Sequence, residues 1–216
     1  MKTATISEKP KQTNKFNIRY LTASFISLCG LMVCAALAWH GALPAWENSL
    51  FETINGWNGP AFMDTLARLL SNLVWAFIFI TAAIFIFKKP RLAAWRIAVP
   101  AVSTYIFAYI VEHIVERARP EALLTNEGII RASQDGMGFP SSHAAVLTAL
   151  VLAVWPFLST PLRWLAICLV IAELWARMYL GLHFPLDVIG GVLAAFVVVY
   201  GFKSLPSNWA KKFRLA

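Results

Sequence analysis

The sequence predicts an all-α protein, a six-transmembrane-helix bundle, and two observations support that fold class. Hydrophobic residues make up 59% of the 216 residues and charged residues only 14%, whereas about a quarter of the residues in soluble domains are charged. The apolar runs are also close to the ~20 residues that a helix needs to cross about 30 Å of hydrocarbon. We therefore expect one membrane domain at residues 19–205, with cytoplasmic tails at residues 1–18 and 206–216.

The basic residues give the chain a net charge of +8, and their positions predict its orientation. They precede the first apolar run, separate the second from the third, and follow the last: Lys2, Lys9, Lys11, Lys15, Arg19, Lys88, Lys89, Arg91, Arg96, Lys203, Lys211, Lys212 and Arg214. Cytoplasmic loops of membrane proteins carry such an excess. We expect a multi-pass protein of the cell inner membrane with both termini in the cytoplasm. Because no basic stripe is interleaved with exposed aromatic residues, we expect no nucleic-acid partner.

The first apolar run predicts helix one at residues 19–42. A secretory signal peptide has an apolar stretch of about 7–15 residues, and the run from Leu21 to Trp39 is longer. We therefore expect an uncleaved membrane helix. Residues 43–62 then combine turn-forming residues with tryptophan, which collects at membrane interfaces, so we expect this segment to lie on the outer face.

Five further helices are predicted from the remaining apolar runs. They are expected at residues 63–87, 92–117, 141 or 142 to about 156, 162–180 and 185–203. Pro100 is expected to kink the third helix, and Asp64 and Arg68 are spaced to pair across one turn of the second. A polar segment at 118–140 and a tight turn at 181–184 are expected on the outer face.

Three short polar segments lie among these apolar runs. They are Arg119-Pro120, Pro140-Ser141-Ser142-His143, and the spaced set Arg177, His183 and Asp187. Ionisable groups in a membrane segment are costly, and they usually face the interior of a bundle or a polar cavity. The predicted topology places all three segments on the outer side of the membrane, so we expect them to form one site.

The second polar segment has the features of an anion site. Phe139-Pro140 interrupts the preceding chain, and serine is favoured as the N-cap of a helix, here Ser141 or Ser142. The first turn of a helix exposes unpaired N–H groups and a partial positive charge, which attract anions. His143 would project from this turn. The alternative is an ordinary capped helix with a histidine at the membrane interface.

The third polar segment has the features of a reactive histidine. A carboxylate four residues after His183, at Asp187, can accept the ring N–H, which fixes the tautomer and leaves the other nitrogen free as a nucleophile or base. Arg177 and Arg119 suit bidentate contact with phosphate. The alternatives are an interfacial histidine with a helix-capping aspartate, and arginines that extend toward the head groups.

Together the segments resemble the signature of the type-2 phosphatidic acid phosphatase superfamily, which includes membrane lipid phosphatases. The family pattern is Lys-x6-Arg-Pro, then Pro-Ser-Gly-His, then Ser-Arg-x5-His-x3-Asp, and the resemblance covers nearly the whole chain. By position, it implies that His183 is the nucleophile, that Asp187 orients it and that His143 is the general acid. It also implies no metal or other cofactor, and a phosphate site formed by Arg119, Arg177, Ser141 and Ser142.

The chain departs from the family pattern at three positions. Ser142 replaces a glycine and Ala176 replaces a serine, and both are small residues. Glu112 replaces the lysine of the first motif, and a glutamate there would repel phosphate. We expect Arg117 or Arg131 to supply the missing positive charge, or Glu112 to pair with an arginine across the site.

Two further groups within the apolar runs have less specific interpretations. Glu173, four residues before Arg177, is expected to support that arginine, with a proton relay or a substrate contact as the alternative. The cysteines are expected to be small buried side chains rather than disulfides or metal ligands, and they are Cys29, Cys34 and Cys168.

We therefore expect an integral membrane lipid phosphatase, a metal-independent hydrolase whose site faces the periplasm or the cell exterior. The resemblance favours a polyprenyl (undecaprenyl) diphosphate as substrate and a phosphohistidine intermediate. Phosphatidic acid, phosphatidylglycerol phosphate and lipid A phosphate are alternative substrates. A phosphotransferase, a non-catalytic lipid-binding protein and a metal-dependent hydrolase using the same histidines remain open, although no metal-type spacing such as His-Glu-x-x-His is present.

Overall fold

A computed structural model describes residues 15–39, 43–87, 91–124 and 130–206, and every regular element in those ranges is helical. The all-α prediction is therefore confirmed. A short 3-10 turn at Trp155–Phe157 extends the sixth helix. The helices in chain order are α1 (Ile18–Trp39), α2 (Ala45–Asn55), α3 (Phe62–Phe87), α4 (Arg91–Val115), α5 (Pro120–Leu123), α6 (Ser142–Val154), α7 (Thr160–Tyr179) and α8 (Pro185–Ser204).

The six helices predicted from apolar runs correspond to α1, α3, α4, α6, α7 and α8. The end of the predicted first helix, residues 40–42, lies outside the described residues, as do most of the two predicted tails. Two helices are additional: the interfacial segment contains α2, and the polar segment after α4 contains the single turn α5. Both lie next to the polar segments that the sequence singles out.

Several features are those of a membrane protein. Among the described residues, three stretches are long and apolar enough to cross a membrane: Ile18–Trp39, Trp95–Leu123 and Pro185–Ser204. α6 is apolar but shorter, and α7 carries Arg163, Glu173 and Arg177 within its 20 residues. Large apolar side chains are exposed on the outer helix surfaces, which suits a lipid environment: Phe25, Ile26, Met32, Val33, Val102, Ile106 and Ile110.

α8 is the central helix, and α1, α4 and α6 pack around it, while α3 pairs with α7. Adjacent glycines in α8 allow close approach. A methyl group at Gly191 would lie 2.5 Å from the Ser141 carbonyl oxygen, and one at Gly190 would lie 2.5 Å from the Phe139 ring. The Ser141 N–H also donates to the Asp187 carbonyl at 2.9 Å. The start of α6 is thereby fixed against the first turns of α8.

The two ends of the bundle differ in character. At one end, the Asn17 N–H donates to the Ser204 carbonyl at 2.9 Å, so the start of α1 lies beside the end of α8. At the other end lie the last turns of α4 and α7, the first turns of α6 and α8, and all of α2. This second end contains the three polar segments.

The predicted pair within α3 is not formed. Asp64 accepts a hydrogen bond from the Tyr179 hydroxyl at 2.7 Å and lies 3.3 Å from Arg131 Nε, rather than pairing with Arg68. Arg68 donates instead to the Arg131 carbonyl. Partners from α7 and from the loop before α6 therefore replace the neighbour one turn away.

All three cysteines are free thiols. Cys34 is buried as expected, whereas Cys29 and Cys168 are exposed. Both lie on exposed helix surfaces, where a thiol, which behaves as a small apolar group, is compatible with lipid. The expectation of burial is therefore wrong for these two residues.

Candidate active site

His183 lies in the turn between α7 and α8, and it is only 2% exposed. Its Nδ1 is 2.9 Å from the Gly138 carbonyl oxygen, which can only accept a hydrogen bond, so Nδ1 carries the proton. Its Nε2 is 3.2 Å from Arg119 Nη1 and 3.0 Å from Arg177 Nη2, and guanidinium groups can only donate. Nε2 is therefore the unprotonated nitrogen, and its lone pair faces two cations.

The environment of His183 also determines its charge. Burial, followed by the positive charges of Arg177 and Arg119, lowers the pKa of His183 well below its usual value of 6.5. The imidazole is thus neutral near pH 7, which is the state in which a ring nitrogen can attack an electrophile. The charges that keep the ring neutral would also attract an anion to Nε2.

Both arginines are held by neutral acceptors. Arg119 donates from Nε to the Gly136 carbonyl at 3.1 Å, and from Nη1 to a second backbone carbonyl at 3.0 Å. Arg177 donates from Nη1 to the Ser71 hydroxyl at 2.8 Å, and from Nη2 to the side-chain carbonyl of Gln134. Neither forms an ion pair within the described ranges. Both charges therefore remain for an anion, to which arginine binds through short, strong hydrogen bonds.

The start of α6 supplies further donors. Ser141 is the N-cap, is fully buried, and accepts the Ala144 N–H at 3.5 Å. Its hydroxyl is thus directed at its own helix, where it stabilises the turn. The N–H groups of Ser142 and His143 have no acceptor in the part of the chain that the structure describes. Free N–H groups of this kind are what an anion site at a helix N-terminus requires.

His143 faces a cavity of about 300 Å³. The ring stands edge-on to Trp75, with 5.8 Å between ring centroids, and makes no hydrogen bond to any described residue. Arg177 lines the same cavity, so His143 shares it with one of the two arginines that contact His183. The cavity lies between α3, the loop before α6, and the facing ends of α6 and α7, and its walls include Arg68, Asn72, Trp75, Gln134, His143 and Arg177.

Asp187 is fully buried in the first turn of α8. Its Oδ2 accepts the Phe184 N–H at 2.8 Å, and its Oδ1 accepts from Arg117 Nη1 at 2.8 Å. Oδ2 lies 3.6 Å from His183 Nδ1, whose proton is directed at Gly138. Asp187 therefore fixes the turn that carries His183, and the direct hydrogen bond that the sequence predicts is not formed.

Arg117 does not supply the missing positive charge, because two carboxylates neutralise it. Its Nη2 is 2.7 Å from Glu47 Oε2, and its Nη1 is 2.8 Å from Asp187 Oδ1; all three side chains are fully buried. Glu47 also accepts the Leu186 N–H at 2.9 Å. This buried cluster joins α2 to the first turn of α8. Sequence reasoning misses Glu47, because no local feature distinguishes it from Glu52, which is exposed.

Arg131 does not supply the missing charge either, because backbone carbonyls and the Tyr179 ring hold its guanidinium group. Its Nη1 donates to the Asn55 and Tyr179 carbonyls at 2.6 and 2.9 Å, and its guanidinium carbon lies 4.0 Å from the centroid of the Tyr179 ring. Arg131 thus joins α2, α3 and α7. The positive groups around Nε2 of His183 are Arg119 and Arg177.

Glu112 has a structural contact in place of the expected pairing with an arginine. Its Oε1 accepts the Met137 N–H at 3.0 Å, and the carboxylate forms no ion pair with a described residue. The loop that it anchors, residues 136–138, provides the carbonyl groups that hold the Arg119 guanidinium and the His183 imidazole. Glu112 therefore supports the site through the loop.

Glu173 is fully buried in α7, one turn before Arg177. Neither its carboxylate oxygens nor Arg177 Nε has a hydrogen-bond partner among the described residues. The direct support of Arg177 that the sequence suggests is therefore not formed.

The donor set suits an anion better than a cation. Within the described ranges, no group of three or more His, Cys, Asp or Glu side chains is placed to hold a metal ion. Both carboxylate oxygens of Asp187 accept hydrogen bonds, and Nδ1 of His183 is occupied by Gly138. Among the described residues, the groups left for a ligand are the N–H donors of Arg119, Arg177, Ser142 and His143, together with Nε2 of His183 and the ring nitrogens of His143.

Comparisons with known proteins place this chain among membrane phosphatases of one family. The family model of the PAP2 superfamily matches residues 93–211, which include all three polar segments. An undecaprenyl-diphosphatase from Sulfolobus acidocaldarius is 28% identical over 149 residues, covering 67% of this chain and 70% of the relative. The Escherichia coli protein named "Putative undecaprenyl-diphosphatase YbjG" is 30% identical over 104 residues, covering 47% of this chain and 51% of that protein. This chain thus spans about half the length of the second relative.

Two solved structures share the fold. LpxE from Aquifex aeolicus superposes with a TM-score of 0.65 at 18% identity, covering 74% of this chain and 95% of that protein. A PAP2-type phosphatidylglycerolphosphate phosphatase from Bacillus subtilis superposes with a TM-score of 0.65 at 17% identity, covering 88% of this chain and 96% of that protein. At these identities the likeness establishes the fold alone.

Proposed function

This chain belongs to the PAP2 superfamily, and we propose that, as a membrane lipid phosphatase, it hydrolyses a polyprenyl diphosphate such as undecaprenyl diphosphate. The observation that carries the proposal is the unprotonated Nε2 of His183, held between Arg119 and Arg177. Both curated relatives are named for undecaprenyl diphosphate, which favours a diphosphate head group. The products would be inorganic phosphate and a polyprenyl monophosphate.

In the first step, His183 acts as the nucleophile. The non-bridging oxygens of the terminal phosphate accept hydrogen bonds from Arg119, Arg177 and the N–H groups of Ser142 and His143, which neutralise the charge in the transition state. The Nε2 lone pair forms a bond to phosphorus while the bond from phosphorus to the bridging oxygen breaks. The electron pair stays on that oxygen, which takes a proton from the His143 ring and departs with the lipid.

In the second step, water releases the phosphate. The His143 ring, now neutral, accepts a proton from the water as its oxygen attacks phosphorus. The bond from phosphorus to Nε2 of His183 breaks, and its electron pair returns to the nitrogen. Inorganic phosphate leaves, His183 is neutral again, and His143 carries the proton that the next turnover needs.

We also propose that six helices span the bilayer: α1, α3, α4, α6, α7 and α8. Both termini are cytoplasmic, since Lys15, Arg19 and Lys203 lie at the end where α1 begins and α8 ends, as the positive-inside rule requires. The site then faces the periplasm or cell exterior. At ~1.5 Å per residue, the 13 residues of α6 cover about 20 Å of the ~30 Å hydrocarbon layer. α6 is therefore too short to reach the head groups at both of its ends.

Other lipid phosphates are the second candidate substrates. The family resemblance leaves lipid A phosphate, phosphatidylglycerol phosphate and phosphatidic acid as alternatives, and one solved structure of this fold is named a phosphatidylglycerolphosphate phosphatase, so these lipids belong in the test. A phosphohistidine could also pass its group to a lipid acceptor instead of water. Glu112 is the departure from the family pattern that keeps a non-catalytic lipid-binding protein open, and its carboxylate accepts a backbone N–H of the loop at residues 136–138.

The test measures phosphate release by the detergent-solubilised protein, in the presence of a chelator, from these lipids and from a polyprenyl diphosphate. We expect the polyprenyl diphosphate to give the highest kcat/KM and His183→Gln to abolish release. Arg163→Gln, at the opposite end of α7, serves as a control for the loss of one side chain.

Three results would contradict the proposal. Release by His183→Gln would exclude this histidine as the nucleophile. Transfer of labelled phosphate to lipid without release would indicate a phosphotransferase. A preference for a lipid monophosphate would replace the substrate while leaving the chemistry intact.

A further inference from the structure

We propose that Arg68 and Asn72, on α3, form a second phosphate subsite that holds the phosphate of the leaving group and selects diphosphates over monophosphates. This inference rests on the proposed function, since it assigns a place to the second phosphate of that substrate. Neither residue belongs to the three polar segments, and both line the cavity that His143 faces.

The cavity lies where the leaving group must go. In phosphoryl transfer the attacking and leaving atoms are roughly in line, so the leaving group occupies the side of the phosphorus away from His183 Nε2. His143, which protonates the leaving oxygen, faces the cavity, and so does Arg177, which holds the reacting phosphate. The remainder of the leaving group would therefore enter the part of the cavity that α3 lines.

The position of α3 places its polar side chains beside the reacting phosphate. The Ser71 hydroxyl accepts a hydrogen bond from Arg177 Nη1 at 2.8 Å. Arg68 precedes Ser71 by three residues, and side chains three apart on a helix lie about 5–6 Å from one another. The amide of Asn72 is fixed by donating from Nδ2 to the Arg68 carbonyl at 2.9 Å. Arg68 is thus about one helical turn from Ser71, which accepts a hydrogen bond from Arg177, and Asn72 directly follows Ser71 in the sequence.

The Arg68 guanidinium has no carboxylate partner in the described part of the chain. Asp64, one turn earlier, instead accepts from the Tyr179 hydroxyl at 2.7 Å and lies 3.3 Å from Arg131 Nε. Arg68 donates from Nη2 to the Arg131 carbonyl, and its Nε and Nη1 form no hydrogen bond or ion pair with a described residue. A guanidinium with free N–H groups beside a phosphate cavity is suited to bind a second phosphate.

The two classes of substrate differ in what they place beside Arg68. A diphosphate releases a lipid monophosphate, whose negative charge would lie in the cavity. A lipid monophosphate releases an alcohol, which brings no charge and depends more on the proton from His143, because an alkoxide is the poorer leaving group. Arg68 should therefore matter mainly for diphosphates, and loss of the His143 ring should slow monophosphates more.

The experiment measures phosphate release from farnesyl diphosphate and from phosphatidic acid by the full-length protein in one detergent. We expect Arg68→Gln to lower kcat/KM for farnesyl diphosphate by about 10- to 100-fold, as for loss of a charge-assisted contact. The ratio of the two kcat/KM values should fall at least about tenfold, and Arg68→Lys should restore part of it. Arg163→Gln removes one positive charge at the opposite end of α7, beside Trp155, and should leave the ratio as in the wild type.

A second variant and an inhibition measurement test the subsite even if Arg68→Gln folds poorly. Asn72→Asp keeps the shape of the side chain and adds a negative charge, so it should lower the same ratio. Inhibition of phosphatidic acid hydrolysis by methylenediphosphonate should weaken about tenfold or more in Arg68→Gln. Inhibition by inorganic phosphate, which occupies only the first subsite, should weaken far less.

The subsite would be overturned, while the proposed function stands, if the variants lose kcat/KM equally on both substrates. The same holds if neither Arg68→Gln nor Asn72→Asp changes the ratio of the two kcat/KM values. Failure of the wild type to release phosphate from either substrate would overturn the proposed function, and the subsite with it. A selective loss on the diphosphate in both variants would support the subsite.

Discussion

His183 illustrates how neighbouring groups decide which nitrogen of an imidazole can react. The Gly138 carbonyl holds the proton on Nδ1, and the guanidinium groups of Arg119 and Arg177 face the lone pair on Nε2. The two arginines have a double effect, because they destabilise the imidazolium and would stabilise a bound phosphate. A single arrangement of charge therefore serves both the nucleophile and its electrophile.

We predict that His183 stays neutral and protonated on Nδ1 as the pH falls from about 8 to 6.5. Burial and two positive charges penalise the imidazolium, so the folded protein takes up this proton only well below the usual pKa of 6.5. Nitrogen NMR of protein labelled with ¹⁵N-histidine, with His183→Gln to assign the signals, measures this directly. A titration of His183 centred at pH 6.5 or above would contradict the structure.

The buried cluster of Glu47, Arg117 and Asp187 contains one cation between two carboxylates. Arg117→Gln would leave both carboxylates buried without a cation, so we predict that it lowers the free energy of unfolding by about 3–5 kcal/mol. Glu47→Gln leaves a neutral pair and keeps an acceptor for Leu186, so its effect should be smaller, about 1 kcal/mol. Thermal or denaturant unfolding in detergent provides the comparison.

The double variant is the control for this charge argument. Glu47→Gln combined with Arg117→Gln removes one of the two uncompensated carboxylates, so it should be more stable than Arg117→Gln alone. If the double variant loses as much free energy of unfolding as the two single variants together, the charges act independently. That result would contradict the contacts within the cluster.

At the level of the helices, the close approach of α6 and α8 positions the anion site. We predict that Gly191→Ala lowers both activity and stability, the latter by about 1–3 kcal/mol, as for overpacking. The added methyl group would lie 2.5 Å from the Ser141 carbonyl oxygen and 2.9 Å from the Ala144 Cβ, so the two helices must separate. Phosphate release and unfolding of the same preparation would measure the two effects.

Gly201→Ala, in the same helix, is the matched control. The nearest atom to an added methyl group there is the Ser24 hydroxyl oxygen at 3.7 Å, which is ordinary van der Waals contact. Alanine is favoured over glycine within a helix by about 0.5–1 kcal/mol, so this variant should be at least as stable as the wild type. Equal behaviour of the two variants would show that close packing at Gly191 does not hold the site.

At the scale of the whole molecule, the helices could be predicted because each of the six long helices corresponds to a local apolar run. The last run predicted residues 185–203, and α8 spans Pro185–Ser204. The number of helices between the polar segments also determines that the segments share one end of the bundle. This shared end of the bundle and the spacing of the motifs together identify the candidate residues around His183.

Pairing between distant side chains could not be predicted, because spacing carries no information about it. Glu47 and Arg117 are 70 residues apart, and Glu112 and Met137 are 25 apart. The sequence shows several arginines near the site without showing that Arg117 is neutralised or that Arg131 binds backbone carbonyls. Only the packing of α2 and the loops against α7 and α8 distinguishes these two arginines from Arg119 and Arg177, which have no carboxylate partner among the described residues.

The measurement that tests the central claim most directly is the detection of phosphate on His183. The protein is mixed with a polyprenyl diphosphate labelled in its terminal phosphate, quenched in base, and digested for mass spectrometry. We predict an acid-labile, base-stable phosphate on His183 in the wild type, at higher occupancy in His143→Gln, which lacks the base that activates water, and absent from His183→Gln. Label on another residue, or release of phosphate with no label on His183 in either protein, would contradict the phosphohistidine mechanism.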